Sequence, residues 1–443
     1  MEILRLLRRH GLIGYVVGGA VRDLLLGNPV SDWDIATNAT PERLVRIFPK
    51  VIPTGIRHGT VTVLYRGCQC EVTTFRGGRG HDLQDPPRDL PSSRHIEEDL
   101  RHRDFTIDAM AYDPLTGTIV DPFGGEGDLK RGVIRGVDNP LDRFMEDGVR
   151  TYRAIRLAAT LGYRIEEATL EAIPIAIQKT NIPSWERIRD EILRIMKATT
   201  PSHAFEMMRH VGLLAIALPE LLEGYGKEYG SGGELYHHLL ATADAAPPFP
   251  LLRLAGLLHD VGMARIPESR RTGSGAEGHE EIGAAMADAV ARRLKLSNRQ
   301  RRYICQLIRS HELPFHRVSG GSGLRRLLSR IDRSLVDDLF ALSIADAKAS
   351  GLSPSGIRRL RYIRERSKKI LESNTPLTLS QLAVRGDGVK EILGIEEGVE
   401  VGRILHRLLD FVLEDPDKNN PEDLSSLVKR IAKNRSLLLD TEP

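Results

Sequence analysis

A chain of 443 residues exceeds what one ordinary hydrophobic core fills, so length alone predicts two to four domains. At 41% hydrophobic and 28% charged residues the composition is that of a globular protein and excludes a wholly disordered one. The 63 basic and 60 acidic residues leave a net charge of only +3, which excludes a global polyanion-binding charge and makes local blocks the informative feature. Two such blocks stand out: RRLKLSNRQRR (292–302) carries six basic residues and no acid, and IRRLRYIRERSKK (357–369) carries seven and a single acid. Solvated helix faces and phosphate-backbone surfaces both have this composition. The three cysteines, Cys68, Cys70 and Cys305, form no CxxC spacing, and the first two stand too close in a strand-like run for a disulfide. A reducing, cytoplasmic setting is expected, with no membrane partner, because no apolar run approaches the roughly 20 residues that span a bilayer.

In chain order, MEILRLLRRH predicts an amphipathic helix leading into the strand YVV. The helix AVRDLLLG then stops at Gly27, with Pro29 just beyond, and SDWDIAT reads as a second strand. GTVTVLYRGCQCEVTTF alternates as a hairpin about Gly67, and the Gly/Pro/Asp-rich stretch 76–94 predicts a mobile loop. From about Leu141 strand signals vanish and helical periodicity runs to the end. It is interrupted by a Gly-rich gap at 224–233, a linker at 269–278 and SNTPLT at 373–378. The expected organisation is a small α/β head over 1–140, a helical neck over 141–224, a third segment over 225–372 and a helical C-terminal domain over 373–443.

The segment GGAVRDLLLGNPVSDWDIAT carries the first chemistry. Residues two apart in a strand share a face, so Asp32 and Asp34 would present adjacent carboxylates. Such like charges repel unless one is protonated or a cation sits between them, and Mg2+, a hard cation shared with a substrate phosphate, removes the repulsion. Gly18 and Gly19 let backbone N–H groups approach a triphosphate, with Arg22 one turn on to pair with it. Alone, this pattern equally describes an Asx-turn with a glycine entrance.

EDGVRTYRAIR places Asp147, Arg150, Arg153 and Arg156 every three residues, a slowly rotating stripe if all lie on one helix. Such a stripe also complements a helix dipole. Chemically, a carboxylate accepting from an exocyclic amine beside a guanidinium donating to a ring nitrogen matches cytosine and adenine and opposes uracil and guanine. Asp147 with Arg150 would supply that pair.

Further on, LYHHLLAT, LAGLLHDVG, GHEEIG, IRSHELPF and LSIADAKAS set His238, His259-Asp260, His279, His311 and Asp346 on successive helices. An adjacent His-Asp buried against apolar residues needs partners, and a divalent transition metal held with His238 and Asp346 supplies them.

Taken together, GGAVRDLLLG…SDWDIAT, HGTVTVLYRGCQCEVTTFR, EEDLRHRDFTIDAMAYD and EDGVRTYRAIRLAATLGY resemble in order and spacing the bacterial (class II) tRNA nucleotidyltransferases and their poly(A) polymerase relatives. The later His/Asp series resembles the HD phosphohydrolase superfamily. The resemblance implies an α+β fold: a polymerase-β-like nucleotidyltransferase head followed by mainly α-helical neck, HD and C-terminal RNA-binding domains. It implies that Asp32 and Asp34 hold Mg2+ and that Gly19, Arg22 and Arg103 hold the nucleotide, which Arg153 and Arg156 also contact. Glu71 is a third acidic candidate. His238, His259, Asp260 and Asp346 would be the HD metal ligands, with His279 and His311 as holders of a second ion. The implied activity is template-independent addition or repair of the tRNA 3′ CCA end. Partial CC or A addition, poly(A) synthesis, or an HD phosphohydrolase with a nucleotide-sensing head are the alternatives. Three positions depart from the family pattern: His102 precedes Arg103 where a second arginine is usual, Asp108 stands for the usual asparagine, and Met263 for the lysine that often follows HDxG.

Overall fold

The computed structural model describes residues 1–30, 32–55, 59–75, 92–230, 233–271, 276–313, 320–395 and 398–433. Most of the expected loop at 76–94 and the centre of the linker at 269–278 lie outside them. The chain divides into two compact units, Met1–Ala217 and Leu218–Pro443.

The first unit begins with α1 (Glu2–Arg9), whose Ile3, Leu4 and Leu7 are buried. There follow β1 (Gly14–Val17), α2 (Gly19–Leu25), β2 (Trp33–Thr37), α3 (Pro41–Ile47), β3 (Val51–Gly55), β4 (Thr60–Tyr65) and β5 (Cys68–Thr74). α4 (Ser92–Arg101), β6 (Ala111–Asp113) and β7 (Thr118–Val120) complete the head. The seven strands form one sheet in the order β3-β4-β5-β2-β1-β6-β7. Its ladder is antiparallel except between β2 and β5, which run parallel with Asp34 opposite Glu71. The β4–β5 hairpin turns through Arg66 and Gly67, both at positive φ (50° and 80°), as the Gly67 signal predicts. Alternation splits the core between the two sheet faces: Val16 and Ile35 pack with α1 and α2, while Val17 and Ala36 pack with Ile96 and Leu100 of α4. Asp34, two residues before Ala36, therefore belongs to the α4 face.

After α5 (Gly125–Arg131) and β8 (Val133–Ile134) come α6 (Pro140–Glu146), α7 (Val149–Leu161), β9 (Arg164–Ile165), α8 (Glu167–Lys179), α9 (Trp185–Ile195), α10 (Ser202–His210) and α11 (Leu213–Ala217). β8 and β9 pair in parallel, so strand structure does continue past Leu141.

The second unit holds α12 (Pro219–Leu222), β10 (Glu228–Tyr229), β11 (Gly233–Glu234), α13 (Leu235–Ala245), α14 (Pro250–Leu258), α15 (His279–Arg293) and α16 (Asn298–Ser310). α17 (Gly320–Ser329), α18 (Val336–Ala349) and α19 (Pro354–Glu372) follow, then α20 (Gly386–Leu393), α21 (Val399–Glu414) and α22 (Pro421–Lys433), which enclose a small core of their own around Val389, Leu408 and Val428. The expected gap at 224–233 is instead the β10–β11 ribbon, too short to register as an alternating pattern. No helix among the described residues is long and apolar enough to cross a membrane.

Between α14 and α15 a tight turn, Val261–Arg265, presses its Gly262 against the start of α15. A Cβ on Gly262 would meet the His279 carbonyl oxygen at 2.1 Å and the Gly283 nitrogen at 2.5 Å, both backbone atoms that cannot rotate aside. Gly262→Ala should therefore destabilise the second unit by about 1–3 kcal/mol, the range for overpacking a tight contact. Denaturant unfolding checks this, and an unchanged midpoint would contradict the contact.

Candidate functional site

In the head, β1 ends at Gly18, whose φ of 69° is left-handed and free of strain only for glycine. A Cβ there would stand 2.8 Å from Arg103 Nη1 and 3.7 Å from Asp34 Oδ2. Arg22 folds back over Gly19 in the same way, 3.2 Å from where a Cβ would sit. Gly18 and Gly19 thus form a floor that brings Arg22, Arg103 and Asp34 together. Asp32 does not share β2 with Asp34: the strand starts at Trp33, and Asp32 occupies the bend before it. The two carboxylates still sense one another. Asp34 is pushed up to about 6, by burial first, with Arg103 opposing and Glu71, Asp32 and Asp108 adding to the rise. Glu71, directly opposite Asp34 across the parallel ladder, is a member of the anion cluster.

Each arginine is tethered to an acid. Arg22 donates from Nη1 to Asp108 Oδ1 at 2.7 Å and from Nε to Asp23 Oδ1 at 3.0 Å. Arg153 donates from Nε to Asp104 Oδ2, and its Nη2 lies 4.0 Å from Asp108 Oδ2. Burial alone would raise Asp104, but the Arg153 guanidinium holds its carboxyl below the usual range. Arg156 Nε meets Glu191 Oε2 on α9 at 2.5 Å. Arg103 is held loosely, 3.5 Å from both Asp99 Oδ2 and the Asp108 carbonyl, and its buried Nε lacks a hydrogen-bond partner among the described residues. The acids Asp99, Asp104 and Glu191 escape sequence reasoning because each looks like an ordinary solvated charge.

Asp147 does not belong to α7. It follows α6 in an extended conformation (φ −155°), so the helical stripe contains only Arg150, Arg153 and Arg156. Asp147 faces Arg187 of α9, and Arg150 donates to Glu146 and to the Arg143 and His102 carbonyls.

In the second unit the chain brings together every residue of the His/Asp series. His238 sits on α13, His259 and Asp260 follow α14, His279 opens α15, His311 closes α16 and Asp346 lies on α18; all six are buried. His259, His279 and His311 place Nδ1 at 2.8, 2.5 and 2.6 Å from the Gly256, Ala276 and Ile308 carbonyls. A carbonyl only accepts, so Nδ1 carries a proton and each ring turns its Nε2 inward, the atom left to meet a proton or a metal ion. Those inward atoms crowd one another. His238 and His259 Nε2 are 3.2 Å apart, while His279 and His311 Nε2 lie 3.1 and 3.0 Å from Asp260 Oδ1. Asp346 Oδ1 is 3.4 Å from His238 Nε2. Asp260 Oδ1 itself is buried with no well-aligned donor among the described residues. Convergent acceptors without donors require a proton or a cation. Burial pushes His238 down to about 4, whereas Asp260 overrides burial to raise His259 and His279, the latter to about 9. The donor set, two overlapping groups His238–His259–Asp260 and Asp260–His279–His311, fits a divalent transition ion.

Two neighbours of this centre carried no usable sequence signal. Tyr229, inside the supposed gap, donates its hydroxyl to Asp260 Oδ2 at 2.6 Å and stacks on His238 with centroids 4.1 Å apart. Glu312 places a carboxylate oxygen 3.7 Å from His279 Nε2. Met263 is buried in the turn and offers no titrating proton there.

Residues 14–135 match the family described as "Poly A polymerase head domain", residues 162–224 the "Probable RNA and SrmB- binding site of polymerase A", and residues 200–342 the "HD domain". A CCA-adding enzyme of Geobacillus kaustophilus is 42% identical over 215 residues, 48% of this chain and 53% of that protein. One from Lactobacillus delbrueckii subsp. bulgaricus is 44% identical over 213 residues, 48% of this chain and 54% of that protein. The chain thus spans about half the length of the curated relatives it matches. A crystal structure of the Bacillus stearothermophilus CCA-adding enzyme in complex with CTP superposes with a TM-score of 0.73 at 28% identity, covering 98% of this chain and 97% of that one.

The position of Asp34 has a measurable consequence. Without metal, the folded protein keeps its proton up to about pH 6, whereas an unfolded chain releases it near 3.8. Stability in EDTA should therefore fall as pH rises between those values, by at most about 3 kcal/mol. Asp34→Asn should raise the melting temperature in EDTA at pH 7.5, and the advantage should vanish below pH 4. A lower melting temperature at pH 7.5 would contradict an anion cluster at this point.

Proposed function

We propose that the chain, whose residues 14–135, 162–224 and 200–342 match the polymerase head, RNA-binding and HD models, adds or repairs the 3′-terminal CCA of tRNA from CTP and ATP without a nucleic-acid template. The observation that carries this reading is the anion cluster of Asp34, Glu71 and Asp32 facing Arg103 across the Gly18 floor. Asp32 and Asp34 would hold Mg2+, with Glu71 beside them. Magnesium there supplies neutralisation of charge on the 3′-hydroxyl and the triphosphate. Arg22 and Arg103 grip the triphosphate over Gly19, orienting the α-phosphorus for in-line attack. A new bond forms between the tRNA 3′-oxygen and that phosphorus, the bond to the bridging oxygen breaks, and pyrophosphate leaves. Positioning and charge neutralisation supply most of the acceleration.

Base choice falls to Asp147 and Arg150, with Arg153 and Arg156 beside the nucleotide. Arg150 has five N–H donors and spends three on Glu146, Arg143 and His102, which leaves donors for a ring nitrogen. Asp147 Oδ2 keeps one lone pair for an exocyclic amine once Arg187 has donated to it. Uracil and guanine would leave buried polar groups unpaired, a penalty on the order of 1–3 kcal/mol per group. The HD cluster would bind a divalent transition ion and hydrolyse phosphate esters independently of the head.

Purified protein offered tRNAs lacking one, two or three terminal nucleotides should extend each to CCA and stop. Addition of only CC or only A would mark a partial enzyme, and a long A-tail on arbitrary RNA would mark a poly(A) polymerase. Asp34→Ala should abolish transfer while leaving HD phosphatase activity intact; loss of both would refute separate sites. Metal analysis of EDTA-stripped, reloaded protein should find transition metal at the HD cluster, and His259→Ala should abolish that uptake without reducing transfer.

A further inference from the structure

We propose that Arg187, which lies outside the motif carrying the base-reading pair, is a positioning residue that sets the nucleotide selectivity of Asp147. The inference rests on the base-reading role given to Asp147 and Arg150 above. Arg187 donates through both terminal nitrogens, Nη1 to Asp147 Oδ1 at 2.8 Å and Nη2 to Asp147 Oδ2 at 2.6 Å. This fork-to-fork geometry fixes the plane of the carboxylate, not only its place. The Val149 amide donates to Oδ1 as well, at 3.2 Å, so that oxygen has both lone pairs filled. One lone pair of Oδ2 therefore remains, in a direction that Arg187 dictates.

That direction matters because Asp147 lies in an extended link between α6 and α7, where the Val149 amide anchors Oδ1 but leaves Oδ2 to Arg187. A carboxylate turning about its last bond can accept from the amine of cytosine in one orientation or from the ring N–H of uracil in another. Restricting it to one lone pair turns an indifferent acceptor into a selective one. The fork is itself well founded. α9 buries Ile188, Ile192 and Ile195, and its Glu191 takes Arg156 at 2.5 Å and Arg194 at 3.1 Å. A single helix thus restrains the carboxylate through Arg187 and the α7 stripe through Glu191. Arg187 is half exposed, and exposed ion pairs contribute little to stability, so its removal leaves folding intact.

The test measures kcat/KM for CTP, ATP, UTP and GTP on a tRNA lacking its terminal nucleotides, with wild type, Arg187→Gln, Arg187→Lys and Asp147→Ala. Arg187→Gln should cut the preference for CTP over UTP by roughly tenfold or more, mainly through KM, with the melting temperature unchanged. Arg187→Lys, a point charge without the fork, should restore CTP binding in part but not the selectivity. Asp147→Ala should lose discrimination by itself, and adding Arg187→Gln to it should change nothing more. Unchanged selectivity in Arg187→Gln alongside lost selectivity in Asp147→Ala would overturn the role of Arg187 alone. Tighter CTP binding in Arg187→Gln would also overturn it, by making Arg187 an obstacle. Intact selectivity in Asp147→Ala would overturn the underlying base reader instead.

Discussion

Like-charge repulsion among the carboxylates at the end of β2 is the constraint on which the head depends. Asp34 is held where burial, Glu71, Asp32 and Asp108 all oppose its ionisation and only Arg103 favours it. A fold that needed stability alone would put an apolar residue there. Retaining the acid leaves the site with a standing demand for positive charge, which the Mg2+ of the proposed function would meet. The arrangement is preorganised, because the sheet fixes Asp34 opposite Glu71 before any ligand arrives.

The arginines answer a complementary problem. Guanidinium groups gathered for a polyphosphate would repel one another in its absence, yet they must not swing into solvent. Asp104 holds Arg153, Asp108 holds Arg22 and Glu191 holds Arg156, each by a short ion pair. These acids hold the side chains in fixed rotamers, which under the proposed function would reduce the entropy lost on nucleotide binding. Arg103 is the exception. Its contacts are long and its Nε lacks a hydrogen-bond partner among the described residues, so under the proposed function it would gain most from a phosphate oxygen.

Local signals made the head legible in sequence. The glycine turns and the period-two hairpin each report on a few neighbouring residues, and four of the seven strands follow from them, while β3, β6 and β7 and the strand order do not. The site was legible as far as its chemistry sat in short motifs: the glycine pair, the two aspartates and the His-Asp dipeptide. Pairing across the chain was not. Nothing local marks Arg187 as the partner of Asp147, forty residues away, or Tyr229 as the partner of Asp260. Tyr229 was hidden further because a two-residue strand is too short for periodicity to show. The placement of Asp147 on α7 failed for a related reason. Three-residue spacing looks helical whether or not the first member has already left the helix, and here Gly148 separates them.

The exchange of an asparagine for Asp108 changes the electrostatics of both halves of the head site. An amide could donate to one group and accept from another without altering net charge. The carboxylate neutralises Arg22 at 2.7 Å and stands 4.0 Å from Arg153, so part of the positive field meant for a polyphosphate is already satisfied. The same charge adds to the pressure on Asp34. Both effects act in one direction: less free positive charge on the arginines and a stronger demand for a cation at Asp34. Under the proposed function the site would rely on Asp32 and Asp34 more than the amide-bearing pattern would, a redistribution of charge within the same cluster of side chains.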